Sequence, residues 1–369
     1  MRPKLPWLSA LLFLCSPLAV AGFLGSFASR QCRLARGTQY DPRMAIAEPP
    51  GATTIVVVGA TGYIGKNVVR ECVRRGYKTV AVARRPGFDF PGAQSVIADV
   101  SNPESLRTNL FEGRKVDCVI SCLASRNGTK ADSWAIDHQA TLNCLEEAKA
   151  AGARHFILLS AFCVRKPLLQ FQLAKLEVEK ALAAAGAAGQ LSFSIVRPTA
   201  FMKSMTGQFE RVRDGSPFII FGDGSTCRCN AISEAELARY MVDCISDASR
   251  TNKILNIGGP DKGYNKEQQA RLLAKACGVE PHIVHVPISV FDVVVGLLDF
   301  LGNFWEAAAD GAEAARIVRY YALEDMLTTR PEEKFGVITL KDHFEEIARE
   351  GQEYHQYTAV FGKSKAQSS

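Results

Sequence analysis

The 369-residue sequence lacks a long hydrophobic run and a large charge of either sign. Its most apolar stretches, Leu8 to Val20 and Ser289 to Leu301, are shorter than the roughly 20 residues that a membrane-spanning helix needs. The net charge of +6 is modest and lies partly in a basic N-terminal segment, so it does not indicate a nucleic acid partner. The sequence contains no internal repeat, and its apolar content of 47% is typical of a globular protein.

The 11 cysteines do not form a framework of regular spacings. Cys15 and Cys32 fall in the N-terminal segment, and the remaining nine are scattered along the body. An odd number without regular spacing is typical of a reducing compartment rather than of a disulfide-rich secreted protein. Because Cys227 and Cys229 have no second pair at zinc-finger spacing, we expect ordinary thiols and no bound metal.

The first residues have the composition of a targeting segment. Arg2 and Lys4 precede the apolar stretch Leu8 to Val20, and Ala19-Val20-Ala21 offers a cleavage site of the small-x-small kind. The residues that follow are rich in arginine and poor in acids as far as Glu48. This pattern resembles a signal peptide followed by a transit peptide, the leader of algae whose plastids lie inside extra membranes. Plain secretion is the alternative, and the cysteine usage opposes it.

The body of the chain is organised around the sequence Val-Val-Val-Gly-Ala-Thr-Gly-Tyr-Ile-Gly, from Val56 to Gly65. The apolar run Ile55 to Val58 predicts a buried parallel strand, and the glycines after it open a helical pattern. In such a turn Gly59 permits the bend, Gly62 admits a pyrophosphate against the backbone, and Gly65 lets the helix pack on the strand. The alternative is an ordinary glycine-rich connection, and the placement between strand and helix favours nucleotide binding over it. The cofactor-binding residues predicted in this turn are Gly59, Thr61, Gly62, Tyr63, Ile64 and Gly65.

The end of the second predicted strand, Lys78 to Ala83, indicates which dinucleotide binds. It is followed by Arg84 and Arg85 rather than by the acidic residue that a ribose 2′-hydroxyl of NAD would need. A guanidinium can bind the 2′-phosphate of NADP at two points, so the predicted cofactor is NADPH. The alternative is that both arginines are solvated surface charges.

Strand and helix patterns then alternate along the chain, which predicts an α/β fold with a Rossmann-type doubly wound parallel sheet and a smaller C-terminal substrate lobe. The strands predicted next are Ser95 to Ala98, Asp117 to Ser121 and His155 to Leu159, with a helix from Trp134 to Ala151. Asp99 is placed either to accept a hydrogen bond from the adenine amino group or to cap a helix, and Ser121 is placed to line the cofactor groove. The expected layout is leader and linker over 1–50, NADP-binding domain over 51–200, substrate lobe over 201–345 and tail over 346–369.

The glycine turn and the basic residues after the second strand resemble the atypical short-chain dehydrogenases of the NmrA type. In the wider superfamily a serine after the fifth strand works with a Tyr-x-x-x-Lys helix. The resemblance implies catalytic roles for Ser160 and Lys175, with Lys175 also binding the nicotinamide ribose. On a helix predicted to begin at Pro167, the tyrosine position holds Phe171. The usual proton donor is therefore missing, which indicates either lost catalysis or a hydride transfer that needs no phenol at that position.

Longer sequence segments favour the second alternative, a hydride transfer that needs no phenol at that position. They are Val119 to Gly128, Lys166 to Gln172, Ile195 to Ser204, Phe221 to Gly224, Ile257 to Pro260 and Arg319 to Ala322. They resemble the plant- and algal-type family of 3,8-divinyl chlorophyllide a 8-vinyl reductases, whose own pattern includes the phenylalanine. The resemblance implies a chloroplast enzyme of chlorophyll biosynthesis that reduces a CH–CH bond of a magnesium tetrapyrrole with NADPH, with Phe171 and Phe201 against the substrate. It implies no nucleic acid and no obligate protein partner.

Two alternatives remain at this stage. The first is an NmrA-like protein that binds NADP(H) without catalysis, as a redox sensor or photosystem assembly factor. The second is reduction of a phenolic metabolite, as in relatives of isoflavone reductase. The apolar segment Ser289 to Leu301 is interpreted as a core helix, or else as a wall for an apolar substrate or a thylakoid or envelope membrane surface.

Overall fold

The computed structural model describes Ile46, residues 48–302 and residues 305–351. The targeting segment predicted for the N-terminus lies outside the described residues. The strands are β1 (Thr54–Val58), β2 (Lys78–Ala83), β3 (Gln94–Ile97), β4 (Cys118–Ser121), β5 (His155–Leu159), β6 (Ser192–Pro198), β7 (Phe218–Phe221), β8 (Arg228–Cys229), β9 (Lys253–Ile257), β10 (Tyr264–Asn265) and β11 (Ile283–Val286).

The α-helices are α1 (Tyr63–Arg74), α2 (Pro103–Leu106), α3 (Lys130–Asp132), α4 (Thr141–Ala150), α5 (Gln170–Ala187), α6 (Phe209–Arg213), α7 (Glu234–Asp243), α8 (Lys266–Cys277), α9 (Ser289–Gly302), α10 (Glu306–Leu323) and α11 (Leu340–Glu350). Two segments wind as π-helix, Arg107–Phe111 after α2 and Ser133–Ala140 between α3 and α4.

The central sheet has seven strands in the order β3-β2-β1-β4-β5-β6-β9, and every neighbouring pair is parallel. Its first six strands follow the doubly wound order of dinucleotide-binding folds, with the topological switch between β1 and β4. Successive residues of β1 point to opposite faces, so Ile55 and Val57 join one core cluster and Val56 and Val58 the other. Helices α1 and α7 cover the first face, and α4 and α5 cover the second. The predicted fold class is confirmed.

Helix α5 begins three residues later than predicted. Pro167 was expected to start it, but the first helical residue is Gln170 and Leu169 is still extended. The side-chain oxygen of Gln172 accepts the backbone N–H groups of Leu168 and Leu169 at 2.8 and 2.9 Å. This side chain therefore fixes the start of the helix, an effect that the proline signal does not carry.

The helix expected from Trp134 to Ala151 is not uniform. Its first part, Ser133–Ala140, is π-helical, and regular α-helix runs from Thr141 to Ala150. A π-turn inserts one extra residue into a helical turn and is frequent at functional sites. Asp137 lies in this part and is buried. The wider turn carries the carboxylate that the candidate site uses.

Helix α9 is not the core helix that its composition favours. Among its described side chains, only Phe291 is buried. Val293 is 71% exposed, Leu297 58% and Val290 45%. Where the structure describes the chain, no helix has both the length and the apolarity that spanning a bilayer requires. The second interpretation, an apolar wall or surface, therefore fits the observed exposure.

The glycine turn shows which of its glycines the fold itself requires. Gly59 has a φ of +75°, and a Cβ there would lie 2.8 Å from the carbonyl of Cys122. A Cβ on Gly65 would lie 2.1 Å from the carbonyl oxygen of Gly59, closer than any real contact. A Cβ on Gly62 would lie 3.1 Å from the same oxygen, which a small shift relieves. Gly59 and Gly65 therefore hold strand and helix together, whereas the side of Gly62 is open to a ligand.

We expect Gly65→Ala to lower the free energy of unfolding by about 1 to 3 kcal/mol, because the added methyl forces backbone atoms apart. Gly62→Ala is the matched control and should change it by less than about 1 kcal/mol. Urea unfolding followed by circular dichroism measures both. Equal losses for the two variants would contradict the assignment of Gly65 to packing.

Candidate cofactor and substrate site

The N-terminus of α1 forms one end of the candidate site. Gly62 precedes the helix, and in the described part of the chain no side chain caps its first turn. The backbone N–H groups that a helix leaves without an intrahelical partner are donors for phosphate oxygens. The side chains of Thr61 and Tyr63 are half-buried here, and the Lys203 ammonium lies 4.4 Å from the centre of the Tyr63 ring. Ile64 is buried beneath the turn.

The ends of β2 and β3 bring Arg84 and Asp99 near each other. Arg84 and Arg85 are both exposed. The Asp99 carboxylate accepts hydrogen bonds from the Ser101 hydroxyl at 2.6 Å and the Ser101 backbone N–H at 3.0 Å. These bonds, with a smaller contribution from the Arg84 charge, hold the pKa of Asp99 below its usual value. The cap of α2 is Asn102, so Asp99 orders the preceding turn, and its contact with adenine stays a prediction.

Ser121 ends β4 directly beside the glycine turn. Its hydroxyl is completely buried and has no hydrogen-bond partner among the described residues. Most buried polar groups are paired, so such an atom indicates a missing ligand or water. Together with the uncapped helix and the open side of Gly62, this hydroxyl fits a dinucleotide lying across the ends of β1 and β4.

Lys175 forms a buried ion pair with a residue that the sequence did not single out. Its ammonium lies 2.9 Å from Oδ1 of Asp137, and the two side chains are 9% and 1% exposed. The contact is a salt bridge between a buried ammonium and a buried carboxylate. The same ammonium donates to the Leu159 carbonyl at 3.4 Å, and the other Asp137 oxygen accepts the Ser125 N–H at 3.1 Å. Asp137 thus fixes the position of the predicted lysine.

Ser160 takes part in a second buried network. Its hydroxyl donates to Glu179, which also accepts two hydrogen bonds from the guanidinium of Arg197. Phe171, Lys175 and Glu179 are spaced four residues apart and share one face of α5. The sequence analysis did not single out Glu179 or Arg197. The four-residue spacing could have identified Glu179, and the charge within the apolar strand β6 could have identified Arg197.

A cavity of about 410 Å³ opens beside this network. Its lining is mainly apolar and includes Ser160, Phe201, Ile219, Phe221, Ile317 and Tyr321. This volume lies in the range of small-molecule sites. Phe201, predicted to contact substrate, lies in the wall. Phe171 does not line the cavity. It is half-buried and packs against a neighbouring hydrophobic core cluster.

Cys163 and Tyr321, which also line this cavity, contact each other. The hydroxyl of Tyr321 donates to the sulfur of Cys163 at 3.6 Å. Burial raises the pKa of the Cys163 thiol, and desolvation raises the pKa of Tyr321 well above its usual value. Both groups therefore keep their protons at neutral pH. Sequence reasoning missed them, although the string Arg319 to Ala322 contains the tyrosine.

No group of three or more His, Cys, Asp or Glu side chains within the described ranges could hold a metal ion. Two histidines lie at or next to β11. His282 precedes β11, and His285 contacts the Gly222 carbonyl through Nδ1 at 2.9 Å.

A family model described as NAD(P)H-binding matches residues 59–248. The chain is 44% identical over 345 residues to the chloroplastic divinyl chlorophyllide a 8-vinyl-reductase of Oryza sativa subsp. indica, covering 86% of this chain and 85% of that protein. It is 44% identical over 327 residues to the reductase of the same name from Zea mays, covering 83% and 82%.

Among solved structures, the chain is similar to the leucoanthocyanidin reductase of Vitis vinifera in its binary complex with NADPH. The TM-score is 0.60, the identity is 16%, and the match covers 80% of this chain and 99% of that one. At this identity the likeness shows the fold alone.

We expect the ion pair between Asp137 and Lys175 to contribute a large coupling energy to the stability of the protein. Asp137→Asn or Lys175→Met alone should destabilise the protein by about 3 to 5 kcal/mol, because each leaves one buried charge without its partner. The double variant should be destabilised by less than the sum of the two. Urea unfolding of the four proteins measures this coupling. Additive losses would mean that the two side chains do not stabilise each other.

Proposed function

Because the chain belongs to the divinyl chlorophyllide a 8-vinyl-reductase family, we propose that it reduces the 8-vinyl group of divinyl chlorophyllide a, or of divinyl protochlorophyllide a, to an ethyl group with NADPH. The observation that carries the proposal is 44% identity extending over 86% of the chain. The apolar cavity beside Ser160 supports it, because a flat tetrapyrrole needs an apolar wall next to the cofactor edge.

The chemistry is compatible with a phenylalanine at the usual tyrosine position. NADPH, when bound, would supply a hydride for the terminal carbon of the vinyl group. The negative charge then spreads into the conjugated macrocycle, so less stabilisation by an oxyanion donor is needed. Phe171 supports an apolar environment where no carbonyl oxygen requires a phenol. The magnesium ion belongs to the pigment.

The proposed cofactor site combines the predicted residues with the observed cradle. The turn from Gly59 to Gly65 would hold the pyrophosphate, Ser121 and Lys175 the nicotinamide half, and Asp99 the adenine. The residues beyond 200 would close over the substrate as a smaller lobe, with Phe201 in its wall. Asp137 supports this assignment because it holds the Lys175 ammonium at the end of β5.

Arg84 and Arg85 are proposed to bind the 2′-phosphate of NADPH. We expect the double variant Arg84→Ala/Arg85→Ala to weaken NADPH binding by at least about tenfold, since hydrogen bonds to charged groups contribute about 1.5 to 3 kcal/mol each. NADH affinity, which does not involve that phosphate, should change little. Fluorescence titration with both nucleotides tests this, and equal losses for the two would remove the assignment.

The decisive assay incubates purified protein and NADPH with divinyl chlorophyllide a and separates the pigments chromatographically. The expected product is the monovinyl pigment, with NADPH consumed in equal amount. Binding of NADPH without any pigment turnover would instead favour the non-catalytic sensor or assembly factor. Turnover of phenolic metabolites without pigment turnover would favour a reductase of phenolic metabolites.

The chain is a plastid protein, as the chloroplastic names of its relatives indicate. We propose further that residues 1–50 deliver it to a secondary plastid through a signal peptide and a transit peptide. A reporter fused to this leader should enter the plastid of such an alga, and deletion of Met1 to Ala21 should block entry. Export of the intact fusion to the medium would contradict the proposal.

Peripheral membrane association is proposed to use α9. Its two acids are paired with arginines of α10, Asp292 with Arg319 at 2.9 Å and Asp299 with Arg316 at 2.5 Å. The exposed valine and leucine stripe is therefore left without a competing charge, and Trp305, 63% exposed, follows the helix. An uncharged apolar stripe ending in tryptophan is suited to a lipid interface.

Vesicles of neutral galactolipid provide the test. Val293→Glu/Leu297→Glu should lower co-flotation with the vesicles by roughly tenfold or more, because two apolar contacts with lipid become charged. Val337→Glu is the matched control, since Val337 is 80% exposed but lies outside α9. Unchanged flotation of the double variant, or an equal loss in the control, would contradict a role for this face.

A further inference from the structure

The proposed reaction requires a proton as well as a hydride, and the residue at the usual donor position cannot supply it. Phe171 has no exchangeable proton. Once hydride has reached the terminal vinyl carbon, the inner carbon must form a new C–H bond. The donor therefore has to be another group that faces the cavity, or water.

Three of the polar side chains that line the cavity are committed to other partners. The Ser160 hydroxyl donates to Glu179, and the Thr199 hydroxyl donates to the Asn230 carbonyl at 2.8 Å. The Gln208 amide is engaged at both ends by the backbone of Ile219. These side chains hold the wall in place and do not direct a proton into the cavity.

Tyr321 differs from them in its position. It lies on α10 and lines the cavity; the residue as a whole is 36% exposed, whereas its hydroxyl end is desolvated beside Cys163. Among the described residues its hydroxyl donates only to the sulfur of Cys163, a weak acceptor, so turning the proton toward a substrate loses little. The next residue back, Tyr320, is 5% exposed, and its hydroxyl donates to the Cys163 carbonyl at 2.9 Å. Of the two adjacent phenols, one is thus structural and the other faces the cavity.

Cys163 connects this phenol to the predicted lysine. Its thiol is buried, and the Lys175 ammonium is close enough to act on it electrostatically. Cys163 lies in the 3₁₀ turn Phe162–Arg165, which follows β5.

We propose, on the basis of the proposed reductase function, that Tyr321 is the proton donor, a role left vacant by Phe171. The phenolic O–H bond breaks and the new C–H bond forms at the inner carbon of the former vinyl group. The electron pair of the delocalised carbanion becomes that C–H bond, while NADPH has already been oxidised to NADP⁺. The phenolate accepts a hydrogen bond from the Cys163 thiol until a proton from water restores the phenol.

The protonation states of Tyr321 and Cys163 agree with this role. Desolvation keeps Tyr321 protonated at neutral pH, and burial does the same for Cys163. A phenol of raised pKa is a weak acid, but the group that it protonates is a carbanion and hence a strong base. Tyr321 is thus available as a donor in each cycle without a prior titration step.

The test compares Tyr321→Phe with Tyr320→Phe in the full-length protein. Tyr321→Phe should lower kcat for divinyl chlorophyllide by roughly a hundredfold or more, since general acids contribute about 10² to 10⁴ in rate. KM and NADPH affinity should stay within about twofold, because the ring remains in place. Tyr320→Phe should keep its kcat within about threefold. Equal losses in the two variants, or a near-normal kcat for Tyr321→Phe, would overturn the proposal.

Two further measurements separate proton donation from packing. Fluorotyrosine at position 321 keeps the ring and hydroxyl but makes the phenol more acidic, so kcat should change with the degree of fluorination. Cys163→Ala should cost less than Tyr321→Phe, since the thiol only assists the phenolate. A kcat indifferent to fluorination, or a greater loss for Cys163→Ala, would reject Tyr321 as donor.

Assay of the wild-type protein distinguishes failure of the proposed function from failure of the role assigned to Tyr321. If it forms no monovinyl pigment with NADPH, the proposed function fails, and the role of Tyr321 fails with it. If the wild type turns over and Tyr321→Phe does so equally well, the function stands and the inference alone is rejected.

Discussion

The buried ion pair between Lys175 and Asp137 is the interaction on which the candidate site depends. An ammonium that is 9% exposed is costly to bury, and the carboxylate on the neighbouring π-helical segment offsets that cost. The pair fastens α5 to Ser133–Ala140, while the Leu159 carbonyl ties the same ammonium to the end of β5. Three elements are therefore fixed at one point, at the carboxyl edge of the sheet where a dinucleotide would lie.

Helix α5 distributes this anchoring over one face. Four residues after Lys175, Glu179 receives the Ser160 hydroxyl and the Arg197 guanidinium, and so joins the ends of β5 and β6. At its start, the Gln170 N–H donates to Glu313 of α10 at 2.8 Å, a negative charge placed at a helix N-terminus. The helix thus connects the edge proposed to bind the cofactor with the elements that form the apolar cavity.

Much of the sheet was predictable, because its evidence is local. The run Lys78–Ala83 and the run His155–Leu159 have the predicted bounds, and the alternation of strands and helices gives the topology directly. The Asp137–Lys175 pair was not predictable, since 38 residues separate the partners and a π-turn aims the carboxylate. The composition of α9 favoured a core helix, and the structure shows an exposed one. Apolar content alone does not reveal that the broad face of this helix has no covering element among the described residues.

Helix α10 joins the two apolar features of the C-terminal part. Arg316 and Arg319 bind the acids of α9, whereas Ile317 and Tyr321 of the same helix line the cavity. Residues three or four positions apart lie on the same face of a helix. Arg316 and Arg319 therefore share one face of α10, and Ile317 and Tyr321 share another. Because the ion pairs hold α9 against α10, a lipid surface that contacts α9 would lie one helix away from the cavity.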